Sequence, residues 1–454
     1  MKIPTLLFPL FLAVALTGAA LAETRYVIPA SLSSGVLSNS TEEPRTRIVG
    51  ILTVPGATRL RVPLAQAALG WAGKVRFVSL ADGQSQTLDA AQLEMWSQTS
   101  ALFNGEAVRL EVILAPGARD VSVRVEQVFS FSNLANPDKG IDCCGGVIPR
   151  TLCGPDDRVA STDNRVGRLG PCTGWLTSNG AVLTAGHCPV AGGNILEVNI
   201  PASLPNGANV SSAVQDQFPV IAGSITLANG GVGNDWQVFR IGPNNLGQSA
   251  HVLHGFFRMT PGAPFPGTLM RVTGCGIDNT PVGSQPGVCG NSDNSGNCTH
   301  FGLNAQNQTL QTSTGGFFIL SGTTLLYSVD TEPANSGSPI ISEGTGFTIG
   351  IHTAGGCAAS VGSNTGTSFG LAALRDAIAL VPGPNTRYLD RVRAPDGVED
   401  GTIFQPHDTL AEVVNAVPVG GQISAVIGNY PVTNMLITKA MTITAPVGNV
   451  TFGN

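Results

Sequence analysis

The sequence predicts an all-β protein on three observations: abundant turn formers, a shortage of charge, and many short runs of alternating polarity. Of 454 residues, 57 are Gly and 30 are Pro, while only 12% are charged. That composition suits short strands joined by tight turns rather than a helical bundle. The formal net charge of −6 provides no basic footprint, so nucleic acid is not an expected partner.

The first 22 residues have the layout of an export signal. Lys2 gives the positive start, Leu6 to Leu16 gives a short apolar core, and Ala20-Leu21-Ala22 gives small residues before a cut. The core is shorter than the roughly 20 apolar residues a spanning helix needs. No later run is long and apolar enough either, so the expectation is a secreted protein (extracellular or periplasmic) with no membrane contact once the signal is gone. About 430 residues then remain, enough for two or three domains. Nine cysteines in an exported chain suggest disulfides, and the odd number leaves one thiol free or paired between chains.

Residues 23–135 read as a small β domain, sandwich-like, serving as prodomain or accessory module. Arg59-Leu60-Arg61-Val62, Lys74 to Val78 and Val121 to Val125 alternate polar and apolar with the period of a half-buried strand. Asn104-Gly105 and Pro116-Gly117 supply turns on either side of Val108 to Val112. Residues 136–152 form a loop-rich linker, and Cys143, Cys144 and Cys153 suggest that disulfides pin it. Residues 153–383 hold the chemistry and end in a helix, Leu371 to Ile378, stopped by Pro382-Gly383-Pro384.

Residues 384–454 differ again. Asp408 to Val417 is expected to be a short amphipathic helix capped by Asp408, followed by short apolar strands. The run DGTIFQPHDTLAEVVNAVPVGGQISAVIGNYPV resembles the opening turn of pectate-lyase-like parallel β-helix proteins, which implies a short β-helix-like stub. A solenoid needs about three or more rungs to bury its own core, so the stub either packs on the central domain or belongs to something longer. Few carboxylates or bases are available for a lyase site.

Three segments of the central domain suggest catalysis together, though none does alone. CTGWLTSNGAVLTAGHC, Cys172 to Cys188, is a hairpin turning at Asn179-Gly180 with His187 at its end. A core histidine beside a structural disulfide would look the same. GNDWQVFRI, Gly233 to Ile241, sets Asp235 directly before an apolar strand, where a carboxylate is also a common strand cap. TEPANSGSPI, Thr331 to Ile340, puts Ser336 on a tight turn that exposes a hydroxyl and converges backbone N–H groups. A serine alcohol is a weak nucleophile and needs a base at hydrogen-bond distance and donors for the developing oxyanion.

In order and motif the three resemble the chymotrypsin-like (trypsin-like) serine peptidases over roughly 230 residues. RVTGCG, Arg271 to Gly276, resembles a strand of that family's second barrel, and IGIHTAGG, Ile349 to Gly356, resembles its pocket strand. The resemblance implies a chymotrypsin-like double β-barrel of two six-stranded barrels, with protein or peptide substrates in the cleft and no cofactor. It further implies that His187 is the base, Asp235 its partner and Ser336 the nucleophile. The backbone N–H groups of Ala334 and Ser336 would form the oxyanion hole, and Cys172 and Cys188 a disulfide.

Two positions depart from the family pattern. Asn335 stands where trypsin-type precursors carry the Asp that receives a newly cut N-terminus. That activation route is therefore not expected, and processing of the N-terminal domain would act differently, for example by uncovering the cleft. Ala334 stands where the family usually has Gly. NSGSP with a nearby GIH resembles the bacterial glutamyl endopeptidase branch, which implies that Thr331 and His352 contact an acidic side chain before the cut bond.

A metal is not expected. His251 and His254 sit three apart in HVLH, and Cys289, Cys298 and His300 lie in a Gly/Asn-rich insertion that suits a local disulfide better than a metal. The lead expectation is a secreted serine endopeptidase. The alternatives are a weakly active or inactive protease-like binding or surface protein, and a glycan or cell-surface binder acting through the terminal modules.

Overall fold

The computed structural model describes residues 24–132, 151–154, 156–204, 207–278, 306–357, 362–432 and 434–453. The expected export signal, Cys143, Cys144, Cys289, Cys298 and His300 lie outside the described residues.

The N-terminal unit is a β-sandwich. One sheet contains β1 (Thr24–Ser33), β3 (Arg59–Arg61), β4 (Gln66–Ala68), β7 (Phe103–Asn104) and β9 (Ser122–Ser132). The other contains β2 (Arg45–Thr53), β5 (Gly73–Ser79), β6 (Ser85–Leu88) and β8 (Ala107–Leu114), ordered β2-β8-β5-β6. Alternation sets the register: Val75 and Phe77 of β5 and Val108, Leu110 and Val112 of β8 are buried in one cluster with Leu60. Each such side chain contributes about 1.5–3 kcal/mol by leaving water. Helix α1 (Ala90–Met95) starts at Asp89, whose carboxylate accepts the Gln92 N–H in a capping box.

Two sheets form the central unit. The first contains β11 (Val166–Leu169), β12 (Cys172–Leu176), β13 (Val182–Thr184), β14 (Ile195–Glu197), β15 (Gln217–Pro219), β16 (Thr226–Asn229) and β17 (Asp235–Phe239), in the order β15-β14-β11-β12-β13-β17-β16. The second contains β10 (Val159–Ala160), β18 (Leu269–Gly274), β19 (Gln311–Ser321), β20 (Thr324–Tyr327), β21 (Pro339–Ser342), β22 (Thr348–Ala354) and β23 (Asn364–Ser368). Its order is β10-β19-β18-β21-β22-β23-β20, and β20 pairs back with β19, which closes six strands into a barrel. The architecture is the expected chymotrypsin-like double barrel, with one difference. Among the described residues the first sheet does not close, and stands as a curled half-barrel.

Helices α2 (Ala250–His254) and α3 (Ala372–Ala379) pack on this unit, α3 one residue later than its pattern predicts. Beyond it, β24 (Thr386–Leu389), β25 (Gln422–Ala425) and β27 (Thr442–Thr444) pair in parallel, as do β26 (Gly428–Tyr430) and β28 (Val450–Phe452). The segment packs on the central unit, because Tyr388, Ile403 and Phe404 share a buried cluster with Trp175, Phe257 and Phe369. Helix α4 (Leu410–Ala416) is capped by Thr409, not by Asp408. Asp408 instead accepts a hydrogen bond from Arg393 at 2.7 Å.

The N-terminal sandwich packs on the edge of the first sheet, and Ile195 and Val214 of the central unit belong to its core. Among the described residues no hydrogen bond or ion pair joins it to His187, Asp235 or Ser336.

His251 is buried on α2, with Nε2 3.0 Å from the Ala181 carbonyl oxygen. It is a packed helix residue. Burial pushes its pKa down to about 4, below an unfolded value of about 6.5. Between those values the unfolded state binds more protons. The stability from neutral His251 is thus present above pH 6.5, roughly, and is lost as the pH falls toward the folded value. Urea unfolding at a series of pH values should show this loss, up to about 1.4 kcal/mol per pH unit from one such group. His251→Gln, which keeps a donor for Ala181, should flatten the dependence.

Candidate active site

The segment Cys172–Cys188 folds as its pattern suggests: β12, a turn at Asn179-Gly180, β13, and then His187. Cys172 and Cys188 are joined in a disulfide beside it. Gly186 lets the chain descend here, since a Cβ at that position would lie 1.9 Å from the Ala228 carbonyl oxygen. Asp235 opens β17, which pairs with β13, so the histidine and the carboxylate arrive on adjacent strands. Asp235 Oδ1 accepts the His187 backbone N–H at 2.8 Å, and Oδ2 lies 2.6 Å from His187 Nδ1. Two bonds to one carboxylate fix the ring's position. With the proton on Nδ1, the lone pair is left on Nε2. The Asp235 side chain is 8% exposed and that of His187 36%, so the carboxylate is enclosed while the imidazole faces the cleft.

Thr367 holds Asp235 from the second barrel. Its Oγ1 accepts the Asp235 N–H at 3.1 Å and donates to the Asp235 carbonyl at 3.0 Å. Nothing in the sequence marks Thr367, because it lies 132 residues from its partner.

Ser336 is held between the two sheets. Its carbonyl accepts the Thr173 N–H of β12 at 2.9 Å, and Gly337 N–H donates to the His352 carbonyl of β22 at 2.8 Å. The fit needs glycine: Gly337 has φ +94°, and a Cβ would come within 2.1 Å of the Thr173 carbonyl oxygen. The Ser336 carbonyl oxygen also lies 3.8 Å from Cys188 Sγ, next in sequence to His187. Among the described residues Ser336 Oγ makes no protein hydrogen bond, and hydrogen bonds of this kind are often long or poorly aligned before a substrate binds.

The chain enters this turn through Glu332-Pro333-Ala334-Asn335, closed by Asn335 N–H to the Glu332 carbonyl at 3.0 Å. Proline second and positive φ third is the pattern of a type II turn, which favours Gly at the third place. Ala334 occupies it at φ +77°. The Ala334 and Ser336 N–H groups donate to no protein acceptor among the described residues. Asn335 is buried, with its amide packed against Gly274 and Gly276. Burial pushes the neighbouring Glu332 carboxyl up to about 8 and that of Asp330 up to about 6.

The two expected pocket residues differ in placement. Thr331 is fully buried, and its Oγ1 accepts from Asn364 Nδ2 at 3.0 Å. Asn364 also donates to the Thr151 and Val329 carbonyls at 2.7 Å each. Thr331 is thus part of a bracket in the wall. His352 on β22 has Nδ1 2.5 Å from the Tyr327 hydroxyl, and burial pushes its pKa down to about 3, so it is neutral. Tyr327 is pushed well above its ordinary value by burial and stays a donor. A second disulfide, Cys153–Cys357, ties the start of the central unit to this wall. A disulfide at Cys153 was expected from the sequence, but its partner Cys357 was not, and no motif marks Tyr327.

Among the described residues, two groups come close enough to hold a metal. In Cys172, His187 and Cys188 the sulfurs are used in the disulfide. In Glu399, His407 and Glu412 the Arg393 guanidinium already lies 3.0 Å from Glu399.

Residues 160–369 match the Trypsin family model, and this stretch is a trypsin-like domain. No curated protein matches the chain. Among solved structures it is similar to a Glu endopeptidase in complex with MPD, at 17% identity and a TM-score of 0.36, over 50% of this chain and 97% of that one. The family match stops before the C-terminal segment, whose likeness to pectate-lyase-like proteins stays an expectation.

Positive φ costs an L-residue about 1–2 kcal/mol, and glycine returns part of this through its freer unfolded chain. Ala334→Gly should therefore stabilise the protein by about 0.5–1 kcal/mol, measured by thermal unfolding. A loss of stability would mean that the buried Ala334 methyl packs more favourably than its backbone is strained.

Proposed function

We propose that the chain is a secreted serine endopeptidase in which His187, Asp235 and Ser336 form the catalytic triad. The observation that carries this reading is the pair of bonds from Asp235 to His187, with the Ser336 turn fixed to the same sheet through Thr173. In this mechanism His187 Nε2 takes the Ser336 proton as Oγ bonds to the substrate carbonyl carbon. The carbonyl oxygen becomes an oxyanion, received by the Ala334 and Ser336 N–H groups. Collapse breaks the C–N bond, His187 protonates the leaving amine, and an acyl-enzyme remains. Water repeats the sequence: His187 takes its proton, the ester breaks, and Ser336 regains the hydrogen. Asp235 stays ionised and stabilises the imidazolium. Each oxyanion donor is worth about 10²–10³ in rate.

The same reading favours Glu or Asp before the cut bond. With the Tyr327 hydroxyl donating to His352 Nδ1, the one ring hydrogen of a neutral His352 sits on Nε2, where it can donate to a carboxylate. A bound carboxylate would raise the imidazole's proton affinity further. Thr331, enclosed and bonded to Asn364, supports the pocket wall more than the substrate.

A fluorophosphonate should label Ser336, detected by mass spectrometry, and Ser336→Ala should remove both the label and roughly 10⁶-fold of turnover. Absence of labelling in a folded sample would favour the protease-like binding protein instead. Tyr327→Phe frees the His352 tautomer. It should lower kcat/KM for a substrate with Glu before the cut bond about tenfold, the value of one hydrogen bond, and affect other substrates less.

A further inference from the structure

The N-terminal sandwich meets the central unit through an interface built like a protein interior. At its centre are three charged residues that are each at most 4% exposed: Arg59 from the sandwich, with Glu197 and Arg168 from the first sheet. Glu197 Oε1 accepts from Arg59 Nη1 at 3.1 Å and from Arg168 Nε at 3.1 Å, while Oε2 accepts the Ser212 N–H at 3.0 Å. The Glu197 carboxylate thus accepts from a guanidinium of each unit, and in the buried interior the loss of either charge-assisted bond is costly.

Around this centre the polar contacts are two-sided. Gln217 Oε1 accepts the Leu102 N–H at 2.8 Å, and its Nε2 donates to the Leu102 carbonyl at 2.9 Å. One side chain thus satisfies both backbone groups of the opposite unit, as a neighbouring strand would. Asn104 does the same from the other side, accepting the Ser211 N–H at 2.8 Å and donating to its carbonyl at 3.3 Å. The apolar part is continuous, since Ile195 and Val214 complete the sandwich core. Separation would uncover these residues together with the Glu197 network.

The interface lies on β14, β15 and the turn before β15, at the far end of the sheet order from β13 and β17, which carry the His187–Asp235 pair. The site can therefore work with the sandwich in place.

We propose that the N-terminal domain is a permanent part of the working protein, held by this acid–base interface and not by the chain that joins it to the central unit. A cut between residues 132 and 151 would then leave a two-chain assembly, with the sandwich bound to the trypsin-like unit.

The test uses the full-length chain in a Ser336→Ala background, which cannot digest itself, with a recognition sequence for a specific protease placed between residues 132 and 151. The folded protein is cut, and its mass is followed by size-exclusion chromatography with light scattering at micromolar concentration. One species with the mass of the uncut chain is expected. Arg59→Met keeps the bulk of the side chain but removes the shared charge, and leaves Glu197 paired with Arg168. It should weaken the cut assembly at least tenfold, read from dissociation on dilution, with circular dichroism showing both units folded. Gln217→Ala should weaken it less. Two separate, folded fragments from the unsubstituted protein would overturn the proposal, as would an Arg59→Met assembly as tight as the unsubstituted one.

Discussion

The geometry of the site depends on one hydrogen bond, from the Thr173 N–H to the Ser336 carbonyl. Thr173 belongs to the first sheet, and the Ser336 turn leads into β21 of the second barrel. That bond joins the strand leading to the His187 hairpin with the turn carrying the serine hydroxyl. Thr173 Oγ1 reinforces it by donating to the Ala334 carbonyl at 2.9 Å and accepting the Cys275 N–H at 2.9 Å. Gly337 allows the approach, because any side chain there would strike β12 or Thr184. The serine position is therefore set by packing between two sheets rather than by its own loop.

Positioning of this kind also explains how the turn tolerates an alanine at positive φ. Strain at a single residue persists when the surroundings over-determine its backbone, and here the residues on either side of Ala334 are fixed. The Pro333 carbonyl accepts the Ile277 N–H at 2.9 Å, Asn335 closes the turn on Glu332, and Ser336 is tied to Thr173. Thr367 plays the matching part on the other side of the cleft, bonding the backbone of Asp235 from the second barrel. Each sheet thus holds a residue that belongs to the other.

The all-β class, the sandwich strands and the hairpin ending at His187 were legible because alternation and turn residues act locally. His187, Asp235 and Ser336 were legible because each sits in a short motif at a strand end. Thr367, Tyr327 and Asn364 were not, since they act through tertiary contacts between strands that pair far apart in sequence. The cap of α4 was misread for a related reason. Asp408 and Thr409 are both good capping residues, and only the contact between Asp408 and Arg393 decides between them. The Arg59–Glu197–Arg168 centre is invisible in sequence, because two isolated arginines and a glutamate look like ordinary surface charges.

The Cys153–Cys357 bridge spans 204 residues and encloses both sheets of the trypsin-like unit except β23. A single break anywhere in that loop leaves two pieces that remain one covalent molecule. Accidental nicking of an exposed turn would then change the chain's connectivity without letting either half diffuse away. The bridge thus separates the integrity of the backbone from that of the molecule.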